Sequence, residues 1–474
     1  MAHTWVMQHL AWGLQWLGVP STQALLWAGG GLTLGSLLLL TIFCAMAIIQ
    51  LGGRLAALAT ALALVTSQGL MSYAQLLQIT HHIFMLMPVA VAVWLIFSQK
   101  TNPMQANLRH FIAGLCLGAA LWISPETMPL VAAMATIMAA RRLQFSDSGH
   151  CWPLAAGIGA ITVTTWLIDP PPPGFSAWAL DHISLAWLAW ASVLAILLCL
   201  TDKLVAHRQR SLSASVFILA LAAILGGSLW LFATPGALAG PAGLLPPELK
   251  TLWWDHIKEL QPATKFYQYL SWGGLPAIAG VLLMIQAWRQ RCLWQAVLAC
   301  TALVYAAMAL WHLRMGAAAS LAGALAWGIW LCGQPVFTSA EPNQLPAKAQ
   351  YRAAAILFAP VLILLLTLIS IVIENKTDTD SHSNKSGCKL ANIADVLNKI
   401  PPATILITLN SAPQLQWLTH HRVIAGNYHH NTQGLLDFYH LWRSTGDDQD
   451  AQAIAKKKKY NLSAGLQKRN RGQR

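Results

Sequence analysis

The sequence predicts an α-helical polytopic membrane protein with about twelve transmembrane helices, followed by a small carboxy-terminal α/β domain. Hydrophobic residues make up 56% of the 474 residues and charged residues only 10%, whereas a soluble surface needs roughly 25% charged residues. Long apolar runs recur along the chain, and polar sequence is concentrated after residue 374. These features exclude a soluble enzyme, a secreted disulfide scaffold and a disordered protein.

Twelve apolar runs are long enough for membrane-spanning helices. They lie within a predicted membrane domain of residues 24–373, at about 24–50, 55–72, 82–98, 107–122, 125–140, 153–169, 183–200, 212–233, 268–287, 293–311, 316–332 and 352–373. Residues 1–23 precede them. This segment has no charged side chain and contains Trp5, Trp12 and Trp16, which predicts an interfacial helix on the outer leaflet.

The basic residues predict the orientation of these spans. One set of alternate connections carries twelve Lys and Arg residues, and the other set carries four: Lys250, Lys258, Lys265 and Arg314. Basic loops stay in the cytoplasm, so both termini are predicted to lie outside. The net charge of +13 is explained by the basic residues that flank the spans and by the basic tail. We therefore expect no nucleic-acid partner.

Outside the spans, the sequence predicts two long external loops and a soluble tail. The loops are residues 170–182 and 234–267. A linker at 374–385 leads to a periplasmic domain at 386–474, with a helix at 390–399, a strand at 404–409, a connection through Trp417 and a helix at 433–442. The domain ends in a basic tail.

Carboxylates are concentrated on the predicted external side. Six of the nine acids before residue 373 lie there: Glu126, Asp169, Asp181, Glu248, Asp255 and Glu259. Acids at one face can bind a divalent cation, whose charge stabilises a phosphate leaving group. The alternative is that each is simply a solvated loop residue.

A segment in the second long loop, Trp253 to Pro262, resembles the fifth external loop of oligosaccharyltransferase catalytic subunits, which carries an active-site glutamate. Glu259, Gln261 and Pro262 match that pattern. Arg314 follows at the end of the second span after it, much as an arginine does in the family. The resemblance implies that Arg314 binds the donor phosphate, for which a guanidinium fork is suited; the alternative is an ordinary interfacial arginine.

The pair His81-His82 also resembles the family, in which an Asp before a similar pair helps to bind the metal. Here Thr80 stands at that position. Interfacial packing of His81 and His82 is the alternative, and Glu126 can equally cap a helix start. In the tail, residues 418–431 resemble the strand and loop that follow the family's acceptor-binding Trp-Trp-Asp motif. That motif is absent from the tail, and Trp253-Trp254-Asp255 is predicted to lie in a different domain.

Together these motifs resemble the GT-C superfamily of membrane glycosyltransferases in order over most of the chain. The resemblance implies transfer of a sugar or oligosaccharide from a polyprenyl-phosphate-linked donor, at the periplasmic face of a bacterial inner membrane, with a divalent metal such as Mg or Mn. The implied site residues are Glu259 and Asp255 for catalysis, Arg314, His256, Gln261 and Glu126 for substrate binding, and Glu259, His81 and His82 for the metal.

Two departures leave alternatives open. The family's first external loop, with its catalytic aspartate, has no counterpart in residues 1–19, and we expect this chain to lack the helix and loop that carry it. A catalytically degenerate homologue that binds a lipid carrier or assists another transferase is therefore the first alternative, and a transporter or flippase is the second. A zinc site at His420-His421 and His429-His430 is a narrower hypothesis.

Overall fold

The chain is described by a computed structural model. It describes residues 2–75, 80–98, 102–145, 149–172, 174–207, 211–237, 245–334, 337, 347–377, 390–428, 431–444, 449 and 452–454. Most of the predicted linker at 374–385, the pair His429-His430 and the basic tail after residue 454 lie outside these residues.

The described residues form two compact units, of which the first is built from helices. It spans Met1–Leu238 and Lys258–Asn375. Its first half contains α1 (Ala2–Trp16), α2 (Ser21–Leu51), α3 (Arg54–Val65), α4 (Gln68–Met71), α5 (His81–Phe84), α6 (Leu86–Phe97), α7 (Pro103–Ile123), α8 (Met128–Gln144), α9 (Trp152–Ile168), α10 (Leu185–Ala206) and α11 (Leu212–Ala233).

The second half of this unit continues the helical bundle. A short helix, α13 (Phe266–Gln268), follows α12 (Pro247–Leu252), which belongs to the other unit, and leads through a π-helical turn at Tyr269–Gly274 into α14 (Leu275–Gln290). The remaining helices are α15 (Leu293–Trp311), α16 (Gly316–Cys332), α17 (Ala347–Leu357) and α18 (Ala359–Thr377).

The helices coincide with the predicted apolar runs. Within the described residues, seven are long and apolar enough to cross a membrane: Gln23–Leu51, Pro103–Ile123, Leu185–Ala206, Leu212–Ala233, Phe266–Gln290, Leu293–Trp311 and Leu313–Cys332. Four shorter apolar helices are Arg54–Val65, His81–Phe97, Trp152–Ile168 and Ala359–Ile373. A mostly helical, multi-pass membrane protein is thus confirmed, and the count of twelve spans stays a prediction.

Small residues allow the bundle helices to approach closely. Gly114 of α7 faces the backbone of Leu154 in α9, and Gly157 of α9 faces the backbone of Phe111 in α7, so that a Cβ atom at either glycine would collide with a carbonyl oxygen. Such contacts are the usual means of packing helices in lipid, where there is no hydrophobic driving force between them. Nearly every side chain of α16 is buried, which makes α16 the central helix of the described bundle.

The second unit spans Ala239–Ile257 and Lys376–Arg474. It contains α12, α19 (Leu390–Leu397), α20 (Ala412–Leu418), α21 (Thr432–Arg443), and two short strands, β1 (Thr404–Ile405) and β2 (Arg422–Val423). The strands pair in parallel, with Thr404 opposite Arg422. Leu249 and Trp253 from the loop join Leu435, Phe438 and Leu441 from α21 in one buried apolar cluster.

The structure differs from the sequence prediction at three places in this unit. The predicted connection through Trp417 is the helix α20, and the predicted strand 404–409 is paired over two residues only. The loop was assigned to the membrane domain, but its residues 239–257 group with the tail. The reason is apolar burial, because Leu249 and Trp253 find their partners in α21.

Candidate active site

Arg314 lies on a single helical turn, Leu313–Met315, between α15 and α16. Its guanidinium holds Glu126 in a two-pronged contact, in which Nη2 lies 2.7 Å from Oε1 and Nε donates to Oε2 at 3.1 Å. A second carboxylate lies on the same guanidinium, since Nη1 donates to Oε1 of Glu259 at 3.2 Å. Two acids that are far apart in sequence therefore share one cation.

Glu126 is fixed by a tight turn between α7 and α8. The turn, Pro125–Thr127, begins with a proline that favours helical φ at its first position. The Thr127 hydroxyl and the Thr127 backbone N–H both donate to the carbonyl of Ser124, at 2.8 and 3.1 Å. The Thr127 side chain is fully buried. The turn thus directs the Glu126 carboxylate to Arg314 from a rigid support.

Glu259 is fixed by hydrogen bonds between its own loop and the turn that carries Arg314. The imidazole of His312 donates through Nδ1 to the carbonyl of Leu260 at 2.6 Å. The backbone N–H of Ala263 donates to the carbonyl of Leu310 at 2.8 Å, and that of Leu313 donates to the carbonyl of Gln261 at 3.3 Å. Three bonds therefore hold residues 260–263 against residues 310–313.

Tyr73 contacts the other oxygen of Glu259, with its hydroxyl donating to Oε2 at 3.4 Å. Burial, and next the negative charge of Glu259, raise the pKa of the Tyr73 hydroxyl above its usual range. Tyr73 therefore stays a neutral donor at any pH in which cells live. The two carboxylates outnumber the one guanidinium between them, so the cluster has an excess of negative charge that attracts a cation.

A candidate metal site adjoins this cluster. Ligand atoms of His81, His82 and Glu126 all lie within 4.8 Å of one another. This group contains Glu126 in place of the predicted Glu259. His82 is only 5% exposed, and within the described residues its Nδ1 atom has no hydrogen-bond partner, nor has the hydroxyl of Thr80. A buried nitrogen without a partner next to a carboxylate fits a divalent metal, because buried polar atoms otherwise have partners.

His3 of α1 also lies beside this group. Its ring centroid is 6.4 Å from that of His81 and 5.7 Å from that of Phe84. Burial, and next the neighbouring His81, lower the pKa of His3 to about 4. His3 lies 78 residues before His81, in a segment whose sequence predicts only an interfacial helix, so no motif indicates it as a site residue.

The remaining predicted site residues are distributed between the two units. Gln261 lies in the first unit, and its backbone carbonyl belongs to the bonds that hold the Glu259 loop. Asp255 and His256 are exposed and belong to the second unit. Tyr73 and His312 were missed as site residues, although Tyr73 follows directly on a predicted span and His312 lies within the motif that ends in Arg314.

The His-His pair of the tail does not have the geometry of a zinc site within the described residues. His421 accepts the Ala403 backbone N–H at Nδ1, at 3.0 Å, and its Nε2 contacts the Leu397 carbonyl at 2.8 Å. His420 Nε2 lies 3.0 Å from the carbonyl of Ile400. These contacts occupy both nitrogens of His421 and one of His420, so the pair connects backbone segments.

Comparisons with known proteins identify the fold. No family model matches the chain, and no curated protein sequence matches it. Solved structures of the oligosaccharyltransferase of Archaeoglobus fulgidus do match. The enzyme tethered to an acceptor peptide containing the NVT sequon is 12% identical, with a TM-score of 0.60 and 92% of this chain covered. Archaeal oligosaccharyltransferase AglB with an inhibitory peptide and a dolichol-phosphate is 12% identical, with a TM-score of 0.62 and the same coverage.

A further structure of that enzyme is in complex with Zn and sulfate, with 10% identity, a TM-score of 0.55 and 85% of this chain covered. The chain spans 57% and 58% of the length of the first two proteins. At these identities the likeness shows a shared fold, and the predicted relation to oligosaccharyltransferase catalytic subunits is confirmed at that level.

Proposed function

We propose that this chain is a membrane glycosyltransferase of the GT-C type, which transfers a sugar or oligosaccharide from a polyprenyl-phosphate-linked donor at the periplasmic face of a bacterial inner membrane. The observation that carries the proposal is the contact of Arg314 with both Glu126 and Glu259. The cluster combines a phosphate-binding cation with acids that can take up a proton, on a fold shared with oligosaccharyltransferases.

In the proposed reaction, Arg314 binds the donor phosphate and stabilises the charge that grows on it as it leaves. An acceptor hydroxyl or amide attacks the anomeric carbon of the sugar, and the bond from that carbon to the phosphate oxygen breaks. The phosphate retains the electron pair, and the acceptor proton passes to the Glu259 carboxylate. Such a division of roles follows from the chemistry of the two groups, since guanidinium forks bind phosphate and a carboxylate can act as a general base.

Arg314 keeps donors available for a phosphate while it holds the carboxylates. A guanidinium has five N–H groups, and the contacts with Glu126 and Glu259 involve Nε, Nη1 and Nη2 once each. Tyr73 and the bonds of residues 260–263 keep Glu259 oriented while Arg314 also binds the phosphate. His81, His82 and Glu126 would hold a divalent metal, which supplies positive charge next to the leaving phosphate.

The proposal is tested by Glu259→Gln, which keeps the size of the side chain and removes its charge. Cells labelled with a mixture of radioactive sugars are expected to retain label on the lipid carrier when they express this variant, while the variant inserts normally in the membrane. Glu248→Gln is the matched control, because Glu248 is an exposed acid whose carboxylate lies 3.6 Å from His440 in the second unit. Normal loss of label from the carrier in Glu259→Gln would remove Glu259 from the mechanism.

A catalytically degenerate carrier-binding protein is the second candidate. Thr80 in place of the family's aspartate favours it, since a threonine hydroxyl is a weak neutral ligand. This candidate predicts that the wild-type chain retains carrier lipid through purification and yet releases no sugar from it. A transporter is disfavoured by the nearly charge-free spans, because transporters place ionisable groups at mid-membrane.

A further inference from the structure

His3 supplies an imidazole that neither the sequence motifs nor the proposed reaction uses. The Nε2 atom of His3 is buried and has no hydrogen-bond partner within the described residues. Its ring faces His81 edge to face, at an interplanar angle of 66°. A buried ring nitrogen without a partner is unfavourable because it has lost its hydrogen bonds to water, so a ligand that binds it would relieve that cost.

His82 presents a second nitrogen of the same kind. Its ring lies between Tyr73 and His81, with centroid distances of 4.3 and 4.4 Å. These contacts fix the plane of the imidazole, and its Nδ1 atom, like His3 Nε2, lacks a partner within the described residues. Within the described residues, two ring nitrogens without a partner thus belong to imidazoles that both neighbour His81.

We propose that His3 joins His81, His82 and Glu126 in a site for a transition-metal dication of the Zn²⁺ class, in preference to Mg²⁺. The proposal specifies the ion of the proposed function and rests on that function only for the ion's role. Three imidazoles and one carboxylate form a four-coordinate donor set of the type that Zn²⁺ binds. Mg²⁺ requires oxygen ligands in an octahedron and retains water, which this donor set does not provide.

Three of the four proposed ligands already lie close together. The ligand atoms of His81, His82 and Glu126 lie within 4.8 Å of one another, so these three residues could contact one ion. His3 is not part of that group, and its ring centroid lies 6.4 Å from that of His81, so it would have to move towards the other three to bind the same ion. Each oxygen of Glu126 has a second lone pair, so one carboxylate can serve both the ion and Arg314.

The test is the binding of Co²⁺, a coloured substitute for Zn²⁺, to the purified full-length chain in lipid nanodiscs after treatment with a chelator. We expect one bound Co²⁺ per chain with the intense visible absorption of a four-coordinate ion. Zn²⁺ at equal concentration should displace it, and Mg²⁺ in large excess should not. His3→Gln should weaken Co²⁺ binding at least 10-fold, because even residues that only support a metal ligand contribute roughly 10- to 100-fold to affinity.

His9→Gln is the matched control, since His9 lies on the same helix, is exposed and contacts the carbonyl of Trp5 at 2.8 Å. This variant should bind Co²⁺ as wild type does. His82→Gln should abolish the absorption, and a retained signal there would place the ion elsewhere. Absence of the absorption in wild type, displacement by Mg²⁺, or wild-type affinity in His3→Gln overturns the proposal.

These experiments test the metal site and the proposed sugar transfer independently of each other. Co²⁺ binding without any loss of sugar from a carrier would contradict the proposed function and leave the metal site in place. Mg²⁺-dependent sugar transfer by a chain that shows no Co²⁺ absorption would contradict the proposed metal site and support the proposed function.

Discussion

At the scale of single residues, Arg314 is the centre of the site, because its guanidinium contacts both Glu126 and Glu259. The three side chains are 20%, 27% and 35% exposed. Pairs on an open surface contribute at most about 1 kcal/mol, whereas removing one partner of a fully buried pair costs about 3–5 kcal/mol. Because the Arg314 contacts are partly exposed, their contribution to the free energy of unfolding should lie between these limits. Removing them should therefore cause a measurable loss of stability.

A double-mutant cycle isolates the pair. We expect Arg314→Gln and Glu259→Gln to be less destabilising together than the sum of the two single variants, with a coupling energy of about 1 kcal/mol. The measurement is the unfolding of each purified variant in detergent. Strict additivity would mean that the Arg314–Glu259 contact carries no energy.

The hydroxyl of Tyr73 gives a test that depends on pH. Its pKa is raised by burial and by Glu259, so the folded chain retains the proton at a pH where the unfolded chain, with a tyrosine pKa of about 10, loses it. The contribution of the hydroxyl is therefore fully present below about pH 10 and decreases as the pH rises further. Tyr73→Phe lacks the hydroxyl and its contribution to stability. The difference in free energy of unfolding between wild type and this variant should therefore decrease above about pH 10. A constant difference between pH 8 and 11 would contradict the assignment.

At the scale of elements, the position of Arg314 depends on how the start of α16 packs. Gly316 lies two residues after Arg314, and a Cβ atom there would collide with the ring of Trp272 in the π-helical turn. Gly69 of α4 approaches the carbonyl of Gly316 from the other side. The turn that carries Arg314 therefore sits between two close contacts that only glycine permits.

Gly316→Ala should displace this turn and lower stability by about 1–3 kcal/mol, as overpacking does. It should also reduce sugar transfer without any change of a charged group. Gly159→Ala in α9 is the control, since a Cβ atom at Gly159 meets nothing within 4 Å. Equal melting temperatures for the two alanine variants would show that the close packing at Gly316 does not constrain the turn.

Much of this architecture is predictable from sequence at the level of elements. The apolar runs give the helices, and the charged residues Glu126, Glu259 and Arg314 stand out against a chain with few charges. Tyr73 and His3 could not be found in that way, because their site contacts arise from tertiary packing between distant segments. The grouping of Ala239–Ile257 with the tail could not be predicted for the same reason, since Trp253 is buried by its packing against α21, which is distant in sequence.

At the scale of the whole molecule, the basic residues predict that both termini lie outside the cytoplasm. A reporter that fluoresces only in the cytoplasm should stay dark when it is fused after the carboxyl end, and alkaline phosphatase at the same position should be active. The same reporters fused within the connection between α8 and α9 should give the opposite result, because the basic residues Arg141 and Arg142 lie in the last turn of α8, directly before that connection. A fluorescent carboxyl end would reverse the face on which the site operates.

The central claim, that the Arg314–Glu126–Glu259 site catalyses sugar transfer from a lipid carrier, is tested most directly with purified protein. The full-length chain is incubated in nanodiscs with lipid extracted from its native membranes, and the carrier-linked sugars are followed by mass spectrometry. Wild type should convert carrier-linked sugar to free polyprenyl phosphate or pyrophosphate, and Glu259→Gln should leave it intact. Equal conversion by both proteins, or no conversion by wild type, would contradict the account.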